Sequence, residues 1–171
     1  MNVLRTIDRW LVKIEEHILS YSIILIAIMV VGNVLSRAIT GSSWAFSQEV
    51  SRFAITVATF MGISYAARKG RHISMSAFYD LAPFPIRKAL AIFIPVITAI
   101  VLFIMSIFAY QYFMSLVSSG RVTTAMQVPA YLFAVFVPIG FVLGGIQFLR
   151  NMWVNIREKE VYLAQDKKDY S

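Results

Sequence analysis

The chain has no cysteine, only two histidines and only nine acidic residues among 171. Without cysteine there is no disulfide, no thiolate metal ligand and no sulfur nucleophile. His17 and His72 fall on separate segments at expected membrane boundaries, too few and too far apart for a metal site. Charge is scarce: 15% of residues are charged, against about 25% in an ordinary soluble domain. Residues 89–120 carry no charged side chain at all. The residues that remain form no nucleophile with its base, no acid–base pair and no phosphate-cradling glycine loop. The expectation is therefore a non-enzyme without a cofactor.

What is present is apolar. Hydrophobic residues make up 58% of the chain, and the mean hydropathy is +0.69. Uncharged stretches cover 18–36, 53–67, 89–120 and 122–149. A hydrocarbon layer about 30 Å thick takes roughly 20 apolar residues as a helix. The short alternating segments of a membrane barrel do not occur. The predicted fold class is an all-α integral membrane protein forming one membrane domain. It has four transmembrane helices, over about 18–36, 47–67, 89–117 and 128–150. An amphipathic in-plane helix over 3–17 precedes them, and a polar tail over 155–171 follows.

The in-plane helix is read from Val3, Leu4, Ile7, Trp10, Leu11, Ile14 and Ile18, which recur on one helical face. Mixed charges before a long apolar run, with no small-residue cleavage site, argue against a removable signal peptide. Pro83-Phe84-Pro85 interrupts the chain before the third span, and Pro95 is a candidate kink within it. The end of the tail is expected to be disordered.

The net charge is +7, but the basic residues lie between and after the spans, which points to lipid and topology and not to nucleic acid. With four crossings, thirteen lysines and arginines lie on one side, against Arg37 and Arg121 on the other. That asymmetry predicts cytoplasmic N- and C-termini. Trp10, Arg68, Lys69 and Arg71 are the candidate lipid-headgroup contacts.

Glu49 and Arg52 are one turn apart at the start of the second span, so they can pair with each other or meet a partner chain. Ala54, Ala58, Gly62 and Ala66 form a small-residue stripe on the same helix, and Gly140 and Gly144 a second pair in the fourth span. Small residues let helix backbones approach, within the chain or between chains. Ser106, Gln111 and Ser115 are the polar residues of the third span, with packing the expected role for the serines.

Trp44-x-x-x-x-Glu49-x-x-Arg52, Phe60-Met61-Gly62, Ala66-Ala67-Arg68, Gly70-Arg71-His72-Ile73, Pro83, Arg87, Pro129 and Pro138-Ile139-Gly140 follow in an order that resembles the small membrane subunit of tripartite ATP-independent periplasmic (TRAP) transporters. The likeness covers roughly 20–150 and is to stand-alone small subunits. It implies a non-catalytic scaffold in a bacterial inner membrane. The implied partners are a large multi-span transport subunit, a periplasmic substrate-binding protein and membrane lipids. It further implies sodium-driven uptake of an organic acid, with sialic acid the expected substrate and other acidic sugars or C4-dicarboxylates as alternatives. Under this resemblance Arg37, Ser43, Trp44 and Arg121 become the surface that docks the binding protein. The alternative is a small self-assembling channel or transporter, disfavoured by the scarcity of pore-lining polar groups.

Overall fold

The structure is a computed structural model that describes residues 2–69, 83–157, 162–164 and 167–168. Its elements are α1 (Asn2–Thr40), α2 (Ser47–Lys69), α3 (Phe84–Ser119), the single turn α4 (Tyr131–Ala134), α5 (Phe136–Arg157) and a short antiparallel pair, β1 (Tyr162–Ala164) with β2 (Lys167–Lys168). Among the described residues, four helical segments are long and apolar enough to cross a membrane: Val12–Thr40, Ser47–Arg68, Pro85–Ser119 and Tyr131–Arg157. The protein is thus a multi-pass helical membrane protein.

The boundaries depart from the predicted ones for local reasons. No glycine or proline occurs between Asn2 and Val31, so nothing breaks the backbone where the in-plane helix was expected to end. Residues 3–17 are accordingly the first part of one 39-residue helix, not a separate element. α3 begins five residues earlier than its predicted span, because Pro83 takes the N-cap position and Pro85 falls in the first turn, where a missing N–H costs nothing. It continues through Pro95 and stops at Gly120, whose φ of 58° is the left-handed conformation that glycine adopts without strain. At 36 residues it is about 54 Å long. The fourth span is split: α4 gives way to α5 at Val135, just before Pro138, whose ring nitrogen has no hydrogen for the carbonyl one turn back. In the tail over 155–171, residues 155–157 complete α5, β1 pairs with β2, and β1 lies against α5; its end, expected to be disordered, lies outside the described residues.

The helices form an open row. α2 packs between α1 and α5, and α3 packs on the other side of α5. Each outer helix has one principal neighbour. Within the most apolar window of each span, α1 is 6% buried and α3 11%, against 33% for both α2 and the last span.

Glycines set the spacing of the inner pair. A Cβ at Gly140 would lie 2.7 Å from the Phe60 carbonyl carbon, and one at Gly144 would lie 2.6 Å from the Ile63 side chain. On the far side of α5, a Cβ at Gly145 would lie 3.0 Å from the Phe103 ring. In a bilayer, where apolar burial between helices gains little, such close approach supplies dispersion contacts. Edge-to-face aromatic pairs extend the seam: Phe53 with Phe133 at 5.2 Å, and Phe60 with Phe141 at 5.1 Å. Such pairs contribute about 0.5–1.5 kcal/mol each beyond their buried area. Ala67, Ala99 and Phe148 close the core where α2, α3 and α5 meet.

Candidate functional site

Two polar constructions lie at opposite ends of the row. At one end, the α1–α2 connector and the α3–α4 loop are built onto helices. Ser47 Oγ donates to the Met29 carbonyl at 2.8 Å, tying the start of α2 to α1. The Trp44 backbone N–H donates to Asn33 Oδ1 at 2.7 Å. The Trp44 ring lies over Gly32, where a Cβ would come within 2.8 Å of it, and stacks on Phe46 at 5.9 Å. Gly32 and Asn33 interrupt an apolar run, and that interruption is the sign in the sequence of a seat for the connector.

The α3–α4 loop folds on itself and onto Glu49. Thr123 N–H donates to the Val128 carbonyl at 2.8 Å, and Ala130 N–H to the Arg121 carbonyl at 2.8 Å, bringing Val122 opposite Pro129. Glu49 Oε1 then accepts from the Ala125 N–H at 2.7 Å and from Thr124 Oγ1 at 3.1 Å, while Oε2 accepts from the Met126 N–H at 2.9 Å. Two successive amides thus point at one carboxylate, an arrangement suited to an anion. Of the two expected roles, the pair with Arg52 is not formed: both Glu49 oxygens accept from the chain's own loop. Arg52 is exposed and makes no ion pair among the described residues. Arg37, Ser43 and Arg121 are exposed at this same end, and Trp44 is partly so.

At the other end the polar groups are buried between helices. Glu15 is 4% exposed on α1, Ser64 0% and Arg68 2% on α2, Asn151 5% and Asn155 1% on α5. Ser64 Oγ donates to Glu15 Oε1 at 2.7 Å, Asn151 Nδ2 to the Ala67 carbonyl at 3.0 Å, and Asn155 Nδ2 to the Asn151 carbonyl at 3.0 Å. The first two tie α1 to α2 and α5 to α2, and the third lies within α5. Arg68, expected among lipid headgroups, belongs to this layer. It lies one turn beyond Ser64 on the inner face of α2, and burial of a charged head requires such polar company. Trp10 is 65% exposed. The Lys69 side chain and Arg71 lie outside the described residues. The spacing Asn151-x-x-x-Asn155 was the sequence sign of the layer, but asparagines near a span end read equally well as a solvated face.

The small residues also work within the chain. Gly140 and Gly144 bring α5 onto α2. Ala54 is buried, and a Cβ at Gly62 would meet only Leu19 of α1, at an ordinary 3.5 Å. Ala58 and Ala66 are half-buried. Ser106 Oγ donates to the Pro138 carbonyl of α5 at 3.3 Å, and Ser115 Oγ to the Tyr112 carbonyl of its own helix at 2.9 Å, so both hydroxyls are used in packing.

The architecture is that of a multi-pass membrane protein with an ordered loop platform at one end and two outer helices with open apolar faces. Residues 26–158 match the family described as the DctQ component of tripartite ATP-independent periplasmic transporters, and the chain belongs to that family. It is similar to the ectoine TRAP transporter small permease protein TeaB of Halomonas elongata. The two are 41% identical over 162 residues, which cover 95% of this chain and 84% of that protein. The chain is thus a small permease subunit of a TRAP transporter, a multi-pass protein of the inner membrane. The expectation of sialic acid finds no support, since the relative's name specifies ectoine.

Proposed function

We propose that this chain is the non-catalytic scaffold that holds a large, multi-span transport subunit in place while that subunit carries ectoine inward, driven by a sodium gradient. A periplasmic binding protein delivers the substrate. The observation that supports the scaffold role most directly is the open row: α1 and α3 leave most of their apolar surface uncovered while the inner pair is locked by glycine contacts. A rigid inner seam with apolar outer flanks suits a brace that packs against another membrane subunit along its sides. Ectoine is assigned from the name of the 41% identical relative.

In this reading the platform of Arg37, Ser43, Trp44 and Arg121 faces the periplasm and docks the loaded binding protein, and both termini are cytoplasmic. The charge asymmetry of the loops supports that orientation, and the two arginines suit an acidic partner surface. The test is reconstitution of all three proteins in liposomes with labelled ectoine and a sodium gradient. Uptake should require this chain together with the large subunit and the binding protein. Ectoine flux through this chain alone, or full flux without it, would sink the proposal.

A further inference from the structure

A second polar feature lies between α1 and α2, adjoining the loop platform at Asn33. An open groove of about 350 Å³ runs between the two helices beside the connector. Its polar end is formed by Asn33 of α1 with Gln48, Ser51 and Arg52 of α2, and its walls continue as Val34 and Ile55, which are 61% and 50% exposed. Ser51 is only 8% exposed, yet its hydroxyl, lining the groove, has no hydrogen-bond partner. A buried hydroxyl left without a partner is destabilising, which favours an occupant that bonds to it. Asn33 has committed its carbonyl oxygen to Trp44, so its amide hydrogens are the part left to donate. Arg52 makes no ion pair among the described residues. The groups on offer are donors beside a cation, at the level where α2 starts, and they pass directly into an apolar trough along the helices.

We infer that this groove binds a membrane glycerophospholipid, its phosphate on Arg52 and Ser51 and an acyl chain along Val34 and Ile55. A phosphate diester brings the acceptors and the negative charge that these donors require. The trough accounts for the hydrocarbon, which a free anion would leave uncovered. A carboxylate on a neighbouring protein helix would satisfy the arginine equally well but would bring no acyl chain. The inference stands on the geometry of this pair of helices and is independent of which substrate the transporter carries.

The experiment is native mass spectrometry of the full chain extracted in mild detergent together with its membrane partner. Wild type is expected to carry one more tightly held phospholipid per chain than Arg52→Gln. Lys13→Gln, which removes an exposed cation at the opposite end of α1, should retain it. Delipidated wild type should rebind phosphatidylglycerol or phosphatidylethanolamine but neither diacylglycerol nor inorganic phosphate, and Arg52→Gln should weaken that rebinding about tenfold or more. Val34→Trp keeps the arginine and fills the trough from an exposed position, so it should displace the lipid even if Arg52→Gln proves unstable. Equal lipid retention by wild type and both groove variants would overturn the inference. So would diacylglycerol binding as tightly as the phospholipids, or a lipid-free Arg52 cross-linked to an acidic residue of the partner.

Discussion

The inner helices α2 and α5 and the outer helices α1 and α3 solve different problems. The inner pair is joined at backbone distance, with Gly140 and Gly144 fitted against Phe60 and Ile63. The outer pair is as apolar or more so, yet it buries little within the chain. Mean hydropathy runs with that division, 2.4 and 2.8 for the outer spans against 1.3 and 2.2 for the inner ones, but it does not show which faces meet. The position of glycine against a neighbouring backbone does.

The sharpest test of this contrast is one substitution made on both sides of it. Gly140→Ala drives a methyl into the Phe60 carbonyl, so it should destabilise the protein by about 1–3 kcal/mol or prevent its accumulation. Gly62→Ala meets only Leu19 at contact distance and removes a helix-weakening glycine, so it should be neutral or stabilising by up to about 1 kcal/mol. Thermal denaturation in detergent compares the two. Equal effects would mean that the glycine contacts do not separate the inner seam from the α1–α2 contact.

The buried polar layer gives the next largest expected effect. Asn151→Leu removes the donor to the Ala67 carbonyl and should cost about 1–2 kcal/mol by the same melting measurement. An unchanged midpoint would make the layer incidental to helix register.

Glu49→Gln addresses the loop platform without touching the seam. Hydrogen exchange at Ala125 and Met126 should accelerate on the order of tenfold, with the amides of α2 and α5 unchanged. Protection retained at both positions would show that the loop holds its shape without the carboxylate. The smallest effect on the fold is expected from Arg37→Glu with Arg121→Glu, at two exposed positions: complex assembly and melting unchanged, ectoine uptake reduced through weaker docking of the binding protein. Normal uptake kinetics would remove the platform from the docking role.

Much of the fold was legible because bilayer physics leaves few choices. The uncharged runs located four spans, and the start of α2 at Ser47 was placed correctly. The site was less legible. Glu49 and Arg52 invited a pairing one turn apart, because spacing along a helix shows only local partners. The actual partners of Glu49 are backbone amides, which every residue has and no sequence pattern marks. Arg68 was misplaced for the converse reason: its neighbours Lys69 and Arg71 made it look like part of a solvated basic run, while the helix turned it inward. The glycine pair at 140 and 144 was recognised as a close-approach motif, but only the fold revealed that the approaching helix was the chain's own.

The Glu49 contacts also order events in time. The carboxylate and the loop it holds are separated by 75–77 residues of chain. At a synthesis rate of about 5–20 residues per second, Glu49 emerges several seconds before its acceptor-hungry amides exist. During that interval the start of α2 carries an unsatisfied acid at the bilayer edge, and the gap closes only after the third span has been threaded. The finished loop is therefore a record that the two crossings between them, by α2 and α3, have both been made. A nascent chain in which only one of α2 and α3 crossed would leave the acid and the loop on opposite sides of the bilayer.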